Sequence, residues 1–262
     1  MTHAYKDIVV LLSAADGATA RLEAAVTLAQ RFEARLTGLD VSPGRAFNGP
    51  RAEEVAGLQA RFESRLRGAD IVGRYLVADG RAGAAGLAQH AHHADLVVAP
   101  TAEAAAAGLA LPDVPEELVV ASGVPVLIMP VMAEPKPIGQ NIILAWNASR
   151  EATRAMHDAL PLLAAAHEVV VFAFDDRATM MRGEVERVLD HLGRHGVRAE
   201  PFTWPDTGEI TAIDALFACL SERETDLIVA GGYGRSRMFE HLFGGASETL
   251  VDNLSMPVFM SH

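Results

Sequence analysis

KDIVVLLSA (6–14) reappears later in the chain as QNIILAWNA (140–148), and ADLVVAP (94–100) reappears as TDLIVAG (225–231). The ends match as well. ELVVASGVPVLIM (117–129) lies over TLVDNLSMPVFM (249–260), with Pro125 over Pro257 and an apolar triplet after each. Three segments repeated in the same order imply that one unit has been duplicated. The seam is MPVMAEPKPIGQ (129–140), where Pro130, Pro135 and Pro137 and the lack of periodicity suit a linker better than a packed element. Two domains are therefore expected, 1–132 and 139–262, which divides 262 residues into two pieces of ordinary domain size.

Each copy alternates strand and helix. In the second, Ile142 to Trp146 is a short apolar run, and Ser149 is placed to cap a helix with Ala152, Met156, Ala159 and Leu163 on one face. Pro161 should kink or shorten that helix. Glu168 to Phe174 reads as a strand, Glu184 to Leu192 as a helix, Val197 to Phe202 as a strand and Ile210 to Leu220 as a helix with a capping box at Asp206 and Glu209. Asp226 to Ala230 is a strand, and a short helix through Leu250 leads to the last strand, Val258 to Met260. The first copy predicts strands near 7–12, 35–41, 71–77, 95–99 and 126–129, and helices near 19–33, 51–67, 83–93 and 115–122. Continuous apolar strands between helices mean an α/β fold with a parallel sheet covered on both faces and right-handed crossovers. Each half is a five-stranded doubly wound domain.

Composition narrows the partners. Half of the residues are hydrophobic, 21% are charged, and 22 basic against 34 acidic residues give a formal charge of −12. The basic surface that neutralises phosphates in nucleic-acid binding is missing, so neither nucleic acid nor anionic membrane is expected as a partner. No apolar run approaches the roughly 18 residues of a membrane span, and MTHAYKDIVV (1–10) has no basic region ahead of an apolar stretch. A cytoplasmic protein is expected. The single cysteine, Cys219, sits among Ile213, Leu216, Phe217 and Leu220 and reads as core.

In an open parallel sheet, ligands bind beyond the carboxyl ends of the strands, where the strand order reverses. The segment after the fourth strand of the second copy is GGYGRSRMFEHLFGGAS (231–247), with Gly231, two residues, Gly234, nine residues, then Gly244 and Gly245. Its first pair leaves a buried strand, and its second opens a helix whose unpaired N–H groups and dipole attract phosphate. Arg235 and Arg237 could add positive charge. The competing reading is a tight turn and a connector, each needing glycine only for positive φ.

Other chemistries fail on inspection. His90, His92 and His93 in QHAHH (89–93), and His191 with His195, have histidine spacing for a metal but no cysteines or carboxylates at ligand spacing, which favours solvated helix ends. No Ser–His–Asp set and no GxSxG elbow is legible. The dinucleotide fingerprint fails because the glycine loop follows the fourth strand and not the first, and a Walker lysine is missing. No catalytic residue and no metal ligand is assigned, and a binding protein is favoured over an enzyme.

The pattern Gly231, Gly234, Gly244, followed by a helix and a Pro-led last strand, resembles the universal stress protein family. With ILAWNASREATRAMHDALPLL (143–163), which is similar to the start of such domains, the resemblance covers the whole chain, and the duplication resembles the tandem members. It implies strand order 3-2-1-4-5 in each domain and a stress-response role without established catalysis. It also implies pairing of two domains through their last strands, 126–129 and 258–260, within one chain or in a homodimer. In ATP-binding members, adenine and ribose lie between strands one and four and the phosphates along the glycine loop. Carried over, Gly231, Gly234 and Gly244 match the phosphate motif, while Gly245 stands where the family usually has Ser, Thr or Asn. Ser247 either contacts phosphate or caps the helix. Asn147 stands where ATP-binding members usually offer an acidic residue, and its amide can still accept and donate. Trp146 beside it either stacks on a base or crowds it out.

The first copy departs further, since APTAEAAAAGLALPDVPEEL (99–118) has Pro100 and Thr101 where the second has Gly231 and Gly232, and no glycine triplet. It reads as a partner domain. The reading as a whole is a non-enzymatic stress-response protein that binds ATP or AMP, with Mg where a triphosphate is bound, or a similar phosphorylated ligand, in its C-terminal domain. The alternatives are a structural or interaction module with no nucleotide, and a slow ATPase.

Overall fold

The computed structural model describes residues 4–13, 18–42, 51–78, 83–101, 114–130, 137–175, 180–205, 212–232 and 256–262. The chain divides into two compact units, Ala4–Lys136 and Pro137–His262. The first contains β1 (Asp7–Leu12), α1 (Ala18–Phe32), β2 (Arg35–Asp40), α2 (Arg51–Ala69), β3 (Gly73–Val77), α3 (Gly83–Ala91), β4 (Leu96–Pro100), α4 (Val114–Ala121) and β5 (Val126–Met129). Its strands run in the order β3-β2-β1-β4-β5, all parallel. DIVVLL, LVVAP and VLIM are apolar almost without interruption and buried nearly throughout, as strands covered on both faces must be.

The second unit contains β6 (Asn141–Ala145), α5 (Arg150–Asp158), α6 (Leu160–Ala164), β7 (Glu168–Asp175), α7 (Met180–Arg194), β8 (Ala199–Pro205), α8 (Ala212–Ser221), β9 (Leu227–Gly231) and β10 (Val258–Ser261). The order is β10-β9-β6-β7-β8, again all parallel. Counted within the unit this is 3-2-1-4-5, as in the first. The single helix expected after β6 is two, because Pro161 falls in the first turn of α6 and α5 stops at Asp158. The expected starts at Asp206 and Glu209, and the helix through Leu250, lie outside the described residues.

The quoted repeats contain one device used twice. Asp95 Oδ2 accepts from the backbone N–H groups of Lys6 and Asp7 at 2.6 and 2.9 Å, at the start of β1. Asp226 does the same for β6. Its Oδ1 accepts from Gly139 at 2.7 Å and its Oδ2 from Gln140 and Asn141 at 3.0 and 3.2 Å. A carboxylate ahead of the fourth strand of each unit thus ties down the first. Cys219 is fully buried, and burial is the main cause that raises its thiol pKa. Among the described residues no helix is long and apolar enough to cross a membrane.

Candidate functional site

Strand order reverses between β6 and β9, so ligands of this fold class meet the chain at the carboxyl ends of those two strands. The register Ile142↔Leu227, Ile143↔Ile228, Leu144↔Val229, carried two residues further, sets Trp146 beside Gly231. Two sequence-predicted positions, Asn147 and Gly231, are therefore brought to neighbouring strand ends. Trp146 is 6% exposed, so its ring is packed into the domain and not laid open as a platform. Its indole Nε1 is buried with no hydrogen-bond partner among the described residues.

The turn from β6 into α5 is locally determined. Asn147 Oδ1 accepts from the Ser149 N–H at 3.1 Å, an Asx turn, and Ser149 Oγ accepts from the Ala152 N–H at 3.1 Å as the N-cap. Between them Ala148 takes φ 58°, a left-handed conformation that costs a non-glycine residue about 1 kcal/mol. Asn147 is thus a turn-former at the crevice. The acidic residue expected there by resemblance would accept the same N–H, so the amide preserves the turn while removing a negative charge that phosphates would meet.

Gly231 is required for a reason that spacing did not suggest. It is buried at the end of β9 and its φ is not positive, which overturns the tight-turn explanation of this glycine. A Cβ there would stand 2.4 Å from the Ala152 nitrogen and 2.4 Å from the Glu151 carbonyl carbon, so only glycine lets the first turn of α5 sit against β9. The chain leaves β9 held against the end of β10, the Gly232 N–H donating to Ser261 O at 2.8 Å and the Gly232 carbonyl lying 3.1 Å from His262 Nδ1. Gly234, Arg235, Gly244, Gly245 and Ser247 lie outside the described residues.

Of the histidines, His191 and His195 are joined by one that spacing alone missed. The His191 ring is 5.0 Å from that of His157 on α5 and 4.7 Å from that of His195, just past the end of α7. No signal in the sequence links residue 157 to 191, since only the packing of α5 and α7 brings them together. Among the described residues no group of three His, Cys, Asp or Glu could hold a metal ion. His191 Nε2 is buried with no partner among those residues. Burial first, then His157, His195 and Arg194, hold its pKa below the ordinary 6.5, against the opposing pull of Asp190.

A lowered pKa in the fold means that the unfolded chain binds the proton more tightly. The stability is therefore complete above pH 6.5 and is lost as pH falls through the folded-state value. The urea midpoint is expected to fall between pH 7 and 5, and to fall less in His191→Gln. Equal pH dependence in the two proteins would show that the cluster does not contribute.

The fold defines the class: two doubly wound α/β domains in one chain, each with a strand-order reversal in its parallel sheet. No protein-family model and no curated protein matches the sequence. Among solved structures, a universal stress protein from Archaeoglobus fulgidus is similar over 99% of this chain and 97% of its own, with a TM-score of 0.74 at 14% identity. The chain has the fold of a two-domain universal stress protein. Two shorter structures align with 48% of it: a universal stress protein in complex with cAMP (22% identity, 98% of that chain, TM-score 0.36) and a member of the same family from Burkholderia pseudomallei (24%, 96%, 0.35).

Proposed function

We propose that the C-terminal domain binds an adenine nucleotide, ATP or AMP, or a similar phosphorylated ligand at the carboxyl ends of β6 and β9. In this reading the protein is a non-enzymatic stress-response module that changes conformation or partners on binding. The observation that supports it is the juxtaposition of Trp146 and Asn147 with Gly231 at the strand-order reversal, the point from which the glycine-rich run 231–247 departs. Among the described residues the buried Trp146 N–H is a donor without an acceptor, which a ligand atom would supply. A triphosphate would bring Mg with it to balance its charge.

Gly234 separates binding from folding. Saturating ATP or AMP is expected to raise the melting midpoint of the wild type by several degrees, since a ligand at a hundredfold its Kd stabilises by about 2.7 kcal/mol. Gly234→Val, which puts a β-branched side chain where backbone must approach phosphate, is expected to abolish that shift. An unchanged shift in the variant would remove the loop from the site.

One observation favours a second reading, an interaction module with no nucleotide. Gly231 is accounted for by packing against α5 alone, and the Asn147 acceptor by its own turn. Absence of any nucleotide-induced shift in the wild type would select that reading. Phosphate release that disappears in Gly234→Val would instead select a slow ATPase.

A further inference from the structure

Strand β9 lies between β6 and β10, so its backbone groups point alternately to one and to the other. The pairing with β10 runs in register from Val258↔Ile228 to Ser261↔Gly231, and one residue further sets His262 beside Gly232. Ile228 gives its N–H to Pro257 O at 3.1 Å where that ladder begins, and Gly232 gives its N–H to Ser261 O at 2.8 Å just past its end. Gly232 is buried, and a buried carbonyl needs a donor. The His262 side chain meets it, with Nδ1 at 3.1 Å from Gly232 O. A carbonyl only accepts, so in this contact Nδ1 carries the proton and the imidazole supplies the N–H. Both polar groups of the Gly232 backbone are thus turned towards β10.

The other side of β9 faces β6. A trans peptide is planar, and its C=O and N–H point in opposite directions. With the Gly232 carbonyl held towards β10, the N–H that shares its peptide bond is turned towards β6, whose end carries Trp146 and Asn147. Glycine leaves that peptide plane free to rotate, so a hold from outside decides its direction. A donor whose direction is fixed before the ligand arrives binds it without a further cost of ordering.

We propose that His262 is a positioning residue of the C-terminal site: by holding the Gly232 carbonyl it aims the next backbone N–H at the crevice between β6 and β9, where that donor meets the phosphorylated ligand. The proposal rests on the nucleotide reading of this domain. It adds a side chain from β10, a strand outside the crevice, to a site otherwise built on glycines and the end of β6.

Calorimetric titration of the full chain with ATP and with AMP, in the wild type, His262→Ala and His262→Asn, tests the proposal, together with amide hydrogen exchange at Gly232 in the ligand-free proteins. His262→Ala removes the donor and is expected to bind about fivefold more weakly, the worth of one neutral hydrogen bond, with faster exchange at Gly232. His262→Asn sets an Nδ2–H where the imidazole has its Nδ1–H, so affinity within about twofold of wild type and near-normal exchange are expected. Equal affinity of His262→Ala and wild type would overturn the proposal. A loss in His262→Asn as large as in His262→Ala would overturn it too, since the hydrogen bond would not be the cause. Failure of the wild type to bind either nucleotide would sink the nucleotide reading instead. The hold on Gly232 then stands or falls on exchange alone, and an unchanged rate in His262→Ala overturns it.

Discussion

Gly231→Ala should destabilise the C-terminal unit by about 3 kcal/mol, lowering its melting midpoint by roughly 10 °C, with or without nucleotide. The added methyl carbon would sit 2.4 Å from two backbone atoms of α5, and backbone cannot swing aside as the end of a long side chain can. Either the first turn of α5 lifts from β9 or β9 shifts in the sheet, and both disturb buried packing. The entropic gain from replacing glycine in the unfolded chain is about 0.4–1 kcal/mol and does not offset this. Thermal unfolding of the variant measures the loss. A midpoint within a degree or two of wild type would mean that α5 does not press on Gly231, and the assignment of this glycine to packing would fall. The contrast with Gly234→Val is the useful part, because one substitution is expected to cost stability and the other to cost ligand.

Asp226→Ala should cost about 3 kcal/mol by the same assay, for an electrostatic reason. The carboxylate accepts the N–H groups of Gly139, Gln140 and Asn141, and charge-assisted bonds of this kind contribute more than neutral ones. Alanine leaves those donors at the entrance of β6 with water as the replacement, and the entry of the chain into the domain loosens. Asp95→Ala should cost less, since Asp95 is exposed and ties down two N–H groups. Asp226→Asn separates charge from shape, because an amide oxygen still accepts but more weakly, and an intermediate loss is expected. Equal stability of wild type and Asp226→Ala would refute the role given to this carboxylate.

Much of the fold was legible because its strands are unbroken apolar runs and its helices carry their own punctuation. Val126 to Met129 was placed to the residue, Ser149 is the N-cap that its position predicted, and Pro161 divides the helix as proline must. The strand after Asp226 begins and ends one residue later than expected, a shift within ordinary fraying. What stayed illegible depends on tertiary approach. Gly231 was visible as a motif residue, yet its reason, the closeness of Ala152, belongs to helix packing that no local pattern encodes. Asp95 and Asp226 stood in the repeated segments and were read as pattern alone, since nothing in ADLVVAP or TDLIVAG announces which N–H groups a carboxylate will meet. The burial of Arg21 was not legible either, because an arginine in a helix is ordinarily solvated and ATARLEAAV (18–26) carries a second charge, Glu23, two residues on.

The two crevices also show what duplication allowed. Both units keep the strand order, the carboxylate tie and the reversal point, which the fold requires. The residues at the strand ends differ: where one unit has Trp146, Asn147 and Gly231, the other has Leu12, Ser13 and Pro100. Fold positions were retained while the residues at the reversal point diverged.

The central claim, that the C-terminal crevice takes a phosphorylated nucleotide, is tested most directly by calorimetric titration of nucleotide-stripped wild-type protein with ATP, AMP and cyclic AMP. Saturable heat from at least one of the three, lost in Gly234→Val, is predicted. No heat from any of them at millimolar concentration would contradict it.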